Sequence, residues 1–159
     1  MNSPAQFVVP VVAMALASSC AAQSGCVERN VDRFIVAAGE PYFRAERFAE
    51  AIQPGRSRED VVAMLGKPKS SREPHGGAVE LAWVYGESQK GETYRCDKLV
   101  DVAYMTSFTT MTIEFANGVE MSCRARVDTF ITKAEVDYEK RGDPVDTKNL
   151  TCSALARRE

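Results

Sequence analysis

An α+β domain, with two short helices packed on one face of a small antiparallel three-stranded sheet, is the fold that the sequence predicts. Three observations carry it. The stretch IQPGRSREDVVAMLGKP (52–68) encodes a short helix with explicit stop and start signals. VELAWVYG (79–86) places the apolar side chains Val79, Leu81, Trp83 and Tyr85 at alternate positions, and TMTIEFANGVEMSC (110–123) reads as a hairpin. So short a helix is marginal alone in water, which requires that it dock on the sheet.

The chain has 159 residues, enough for one modest core with extensions. A hydrophobic fraction of 45% with 26% charged residues marks it as globular. The net charge of −2 argues against a nucleic-acid partner, which calls for a basic face.

Glu28 is the first charged side chain. Before it, FVVPVVAMALA (7–17) is an apolar run too short to span a membrane and of signal-peptide length. Residues 1–19 are therefore expected to be a signal peptide. Two cleavage chemistries fit. Ala15-Leu16-Ala17 is an A-x-A site that would release a soluble protein, whereas Ala17-Ser18-Ser19-Cys20 resembles a lipobox that would acylate Cys20. Five cysteines are an odd number for an oxidising compartment, and lipidating Cys20 leaves Cys26, Cys96, Cys123 and Cys152 for two disulfides. Three pairings are possible. The preferred one is Cys96–Cys123 with Cys26–Cys152, since the second bridge would tie both termini to the domain. Residues 20–39 are expected to be a linker, 40–130 the domain and 131–159 a C-terminal extension.

The first helix is predicted over 40–51, with Pro41 at the first helical position, where its missing N–H costs nothing. Tyr42, Ala45, Ala49 and Ile52 then share a face, with Phe48 beside them. The second spans 57–65: Ser57 caps it, Asp60 completes an S-x-x-D box, and Glu59 and Asp60 suit the positive end of its dipole. Gly66 can close it and Pro68 forbids continuation. In the first strand Val79, Leu81, Trp83 and Tyr85 point to one side. For the hairpin, a three-residue Ala116-Asn117-Gly118 loop pairs Phe115 with Val119, Ile113 with Met121 and Met111 with Cys123, keeping that face apolar. A two-residue turn would put Phe115 opposite Glu120. The polar stretch 86–104 is expected to be a long loop, with a short strand at 99–104, acting as a binding surface or a flap pinned by Cys96. Beyond Val127 the pattern suits a strand that becomes a helix closed by Gly142, then tail.

This order, with its G-x-[ST]-x-x-x-V-x-x-x-L-G-x-P frame, resembles the SmpA/OmlA family of small outer-membrane lipoproteins, which includes the E subunit of the β-barrel assembly machinery. The resemblance rests on Ile52, Gly55, Ser57, Val61, Leu65, Gly66 and Pro68, then Trp83 and Tyr85, then Ile113, Phe115, Gly118 and Val119. It covers residues 48–127 and departs from the family at Arg56, where Met is usual. It implies the predicted fold, which is also similar to one repeat of the β-lactamase inhibitor proteins. It further implies a periplasm-facing outer-membrane lipoprotein that supports envelope integrity or β-barrel assembly, with envelope proteins as partners and a lipid anchor in the membrane. The exposed corner Pro54, Gly55, Arg56 and Arg58 is the expected contact for a partner or for lipid headgroups, or else a solvated basic corner. The alternative is a soluble exported binding or inhibitor module.

No catalytic constellation is legible. His75 is the sole histidine, no C-x-x-C or H-x-x-x-H spacing offers a metal site, and no G-x-S-x-G elbow occurs. Gly66-Lys67-Pro68 fails as a phosphate loop because Pro68 stands where Ser or Thr is needed. Neither enzyme activity nor a cofactor is expected.

Overall fold

The computed structural model describes residues 25–35 and 40–157, so the predicted signal peptide and Cys20 lie outside it. The secondary structure runs β1 (Glu28–Ile35), α1 (Ala45–Ala51), α2 (Arg58–Leu65), β2 (Ser70–Arg72), β3 (Val79–Arg95), β4 (Lys98–Ala116), β5 (Val119–Thr132), a 3₁₀ turn (Tyr138–Lys140), β6 (Asp146–Thr151) and α3 (Cys152–Leu155). The expected three-stranded sheet is corrected by this architecture. Six antiparallel strands form one sheet in the order β1-β3-β4-β5-β6, with β2 also on β3.

The difference arises in 86–104, predicted as a loop. Those residues extend β3 to Arg95 and start β4 at Lys98, joined by the two-residue turn Cys96-Asp97 with both residues at positive φ. The projecting arm leaves much of both faces open to solvent. Alternation signals a strand only when one face is buried, so GESQKGETYR carries no such signal. Residues assigned to the linker supply β1, and those assigned to the C-terminal extension supply the end of β5, β6 and α3.

One edge of β3 is used in succession. β2 pairs with residues 80–82, the Gly86 N–H donates to the Pro41 carbonyl at 3.0 Å, and β1 pairs with residues 88–95. Pro41 is thus extended edge chain rather than the first residue of α1, which begins at Ala45.

The front face holds the main core: Leu81, Trp83 and Tyr85 from β3, Met111, Ile113 and Phe115 from β4 and Ala125 from β5 pack against Phe48 and Ala51 of α1, Val61 of α2, and Cys152 and Leu155 of α3. The Ser57 cap forms as predicted, its Oγ accepting from the Asp60 N–H at 3.1 Å, and Gly66 closes α2 at φ 83°. Trp83 locks that end to the sheet by donating from Nε1 to the Gly66 carbonyl at 2.9 Å. Trp83→Phe is expected to cost about 2 kcal/mol, from the orphaned carbonyl and lost ring volume, in urea unfolding. A loss below about 0.5 kcal/mol would show that this bond contributes nothing.

On the back face Val84, Phe108 and Phe130 are covered by Val136 and Tyr138. Lys69 ties that cover to the chain ahead of α1, its Nζ lying 2.7 Å from Glu40 and 3.0 Å from Glu139. The hydrogen bonds it donates to these carboxylates hold the ammonium well above the usual lysine range. Lower on this face, burial pulls the Glu80 carboxyl up, but hydrogen bonds from Arg72 and Arg124 outweigh it and the net shift is downward.

The β4–β5 hairpin also corrects the predicted register. Asn117-Gly118 form a two-residue turn at φ 51° and 78°, so Ala116 pairs with Val119 and Phe115 with Glu120. Such a turn matches the strand twist. A bulge beside Glu114/Phe115 then displaces Met121 and restores the faces, pairing Ile113 with Cys123 and Met111 with Ala125. The consequence is a buried Glu120.

Candidate functional site

The front face is covered by helices only over its lower half. Above α1 and α3 lies a groove of about 1010 Å³, with Tyr85, Ser107, Thr109 and Val127 among its sheet residues, Tyr42–Glu46 and Ala49 along one wall, and Leu155 and Ala156 along the other. Each wall has a local cause. Phe43 packs edge-on against Phe48 at 4.8 Å and Tyr85 at 5.4 Å, and together with the Pro41–Gly86 hydrogen bond this fixes the chain entering α1. On the other side, Thr151 caps α3 by accepting from the Ala154 N–H at 3.2 Å, and the Cys123–Cys152 disulfide ties the helix to β5. Burial pushes the Tyr85 hydroxyl up to about 12, so it stays a neutral donor. Arg44, Glu46 and Glu87 put both signs of charge in the lining, so the groove does not select by net charge.

Beyond the groove a polar row of Glu87, Ser107 and Thr129 crosses the sheet, and past it exposed apolar side chains return on three of four strands. Phe34 pairs with Gln89, Gln89 with Met105, and Met105 with Ile131, which places all four on the front face in one row. Phe34 is 53% exposed, Met105 42% and Ile131 59%, and the Phe34 ring meets Tyr42 edge-on at 5.4 Å. Sequence reasoning missed these residues because they lie far apart along the chain. Only the strand register brings them together.

The corner predicted as a contact lies elsewhere. Pro54, Gly55, Arg56 and Arg58 dock on the β4–β5 hairpin, where the Gly55 N–H donates to the Glu120 carbonyl at 3.0 Å, the Glu120 N–H to the Arg56 carbonyl at 2.8 Å, and the Arg58 N–H to the Gly118 carbonyl at 2.9 Å. Arg56 is half-buried; its guanidinium donates to Gln53 Oε1 at 3.2 Å while its Nε finds no partner. Glu120 beneath it is 3% exposed, and its Oε2 also lacks a partner. Burial pushes this carboxyl up to about 7, with the Arg56 charge pulling only partly against it. Pro54, Gly55 and Arg58 remain exposed, about 20 Å along β5 from the groove residue Val127 at roughly 3.3 Å per residue. Corner and groove are separate places.

The cysteines pair as Cys26–Cys96 and Cys123–Cys152, correcting the preferred Cys96–Cys123 and Cys26–Cys152 arrangement. The reason is topological. Cys96 lies at the arm's tip beside the start of β1, and Cys123 lies under α3, so the preferred partners are held apart by the strands themselves. Among the described residues, no group of three or more His, Cys, Asp or Glu side chains is placed to hold a metal.

Comparison with protein-family models, with curated proteins and with solved structures finds no match to this chain.

Proposed function

We propose that this chain is a non-enzymatic protein of the bacterial cell envelope that receives an amphipathic helix of a partner protein in its front-face groove, tethered to the outer membrane through an acylated Cys20. The single observation that carries the reading is the half-covered front face. Its lower part is already layered with α1, α2 and α3, and beyond the polar row Glu87, Ser107 and Thr129 it exposes a second set of apolar side chains, Phe34, Met105 and Ile131. Four strands at about 4.8 Å spacing make a strip about 14 Å wide, which suits one helix of about 10–12 Å diameter. A partner helix would continue the existing layer, the helix-in-groove mode of recognition. The leader-like segment at 7–17 and the two disulfides support an oxidising envelope compartment. The 52–68 frame supports a scaffold role in β-barrel protein assembly, with that machinery as the partner.

Photo-cross-linkers placed at Met105 and Ile131 in living cells test this, with exposed Met121 at the far end of β5 as control. Adducts from Met105 and Ile131 should map to the same amphipathic helix of one envelope protein, with none from Met121. Ile131→Lys should weaken binding of that purified protein at least about tenfold, since a charge would enter an apolar contact. Adducts that are equal from Met121, or absent from both Met105 and Ile131, would end the front-face reading. An adduct with one soluble periplasmic target would replace the scaffold by an inhibitor-type module.

A further inference from the structure

We infer that the tip of the β3–β4 arm is a membrane-contact surface, seating Val27, Leu99 and Val100 in the interfacial layer of a phospholipid bilayer. The inference rests on the proposed anchor at Cys20 for its orientation. Val27 is 74% exposed, Leu99 50% and Val100 52%. Three devices bring them together at one end of the molecule. The two-residue turn at Cys96-Asp97 ends the arm, the Cys26–Cys96 disulfide draws the chain ahead of β1 against it, and the Cys96 N–H donates to the Val27 carbonyl at 3.3 Å. Tyr94 pairs with Leu99 and Thr93 with Asp101, so Val100 is the bulged residue between them.

Other turns of this chain are polar or glycine-rich, as at Asn117-Gly118 and Gly76-Gly77, which is what water favours. Val119 and Met121 are also exposed beside the Asn117-Gly118 turn, but the tip gathers three exposed aliphatic side chains, and its collar suits a bilayer interface. Arg29 lies over the Tyr94 ring at 5.1 Å, Arg95 pairs with Glu28 at 3.2 Å, and Lys98 is exposed beside them. Asp97 and Glu28 offset part of this positive charge, so apolar insertion rather than net charge drives the contact. Cations and a tyrosine around an apolar end are the composition of an interfacial belt.

Chain length fixes which end meets the membrane. Six residues separate Cys20 from Cys26, a reach of at most about 21 Å. The Asn117-Gly118 end lies the whole of β4 away, about 60 Å at 3.3 Å per residue. The tip lies within that reach and adds a protein contact beside the acyl chains.

The test reconstitutes the full mature chain into phosphatidylethanolamine–phosphatidylglycerol vesicles carrying brominated acyl chains. Leu99→Trp and Val100→Trp report the tip and Met121→Trp the opposite end, against the constant background of buried Trp83. Mass measurement establishes whether Cys20 is acylated. The expected result is a blue-shifted emission quenched at least about twofold at positions 99 and 100, with none at 121. An acylated chain with unquenched tip probes would overturn the inference and leave the anchor standing. Quenched tip probes on a non-acylated chain, or in Cys20→Ser, would establish the surface and remove the anchor's part in it. A non-acylated chain with unquenched probes would end both.

Discussion

Reduction of the two disulfides is expected to remove most of the stability of this chain. Cys123–Cys152 closes a sequence separation of 29 and Cys26–Cys96 one of 70, and the two loops do not overlap. On chain entropy alone, bridges of these lengths stabilise by about 3.5 and about 4.5 kcal/mol. Domains of this size hold only about 5–15 kcal/mol in total. The two bridges should also fail differently. Without Cys123–Cys152, α3 is four residues long and cannot persist by itself, so Leu155 leaves the core and the groove loses a wall. Without Cys26–Cys96, β1 keeps its ladder to β3 and the groove keeps its walls. Urea unfolding of the paired alanine variants, Cys123→Ala/Cys152→Ala and Cys26→Ala/Cys96→Ala, checks the magnitudes. Unfolding midpoints unchanged in dithiothreitol would show that the sheet and core suffice without bridges.

Raising the pH from 5 to 8 should destabilise the native chain by about 3 kcal/mol, and Glu120→Gln should abolish that loss. The carboxyl's ordinary value is 4.5, and burial lifts it to about 7 in the folded state. A raised folded value means that the native state holds its proton more tightly than the unfolded state does. The associated stability is therefore complete below 4.5 and drains away as pH rises through about 7, at about 1.4 kcal/mol per unit. Carboxylates shifted the other way, such as Glu92 held down first by the Lys90 hydrogen bond, lose their contribution only on acidification below their ordinary value. The window between 5 and 7 thus reports Glu120. Above it the ionised carboxylate lacks a partner at Oε2 beneath the docked 54–58 corner, so opening should begin there. Chemical denaturation at several pH values settles the point. A flat native profile, or an equal decline in Glu120→Gln, would mean that solvent reaches the carboxylate at little cost.

What the sequence made legible follows burial. Ser57, Asp60, Gly66 and the row Val79, Leu81, Trp83 and Tyr85 lie in or beside the front-face core, where capping and alternation speak directly. The arm has no such core, and its strands are held by backbone ladders that leave no mark in side-chain pattern. The hairpin was misread because an all-apolar pairing looked cheapest. The two-residue turn with a bulge instead buries one carboxyl, a compromise between turn geometry and packing. The apolar row beyond the groove was illegible for a further reason: Phe34, Met105 and Ile131 come from three strands and share a row only through register. Cysteine connectivity needed the same register.

On the proposed export route, that connectivity orders the chain in time. Along the sequence Cys26 precedes Cys96, and Cys123 precedes Cys152, so each bridge joins neighbours among these four thiols. A polypeptide threaded through a translocon N-terminus first presents them to a thiol oxidase in that order. With Cys20 acylated, the first two thiols to emerge are native partners, and so are the last two. Oxidation in order of emergence therefore yields the native bridges directly, without the isomerase-catalysed reshuffling that crossed or nested pairs would require.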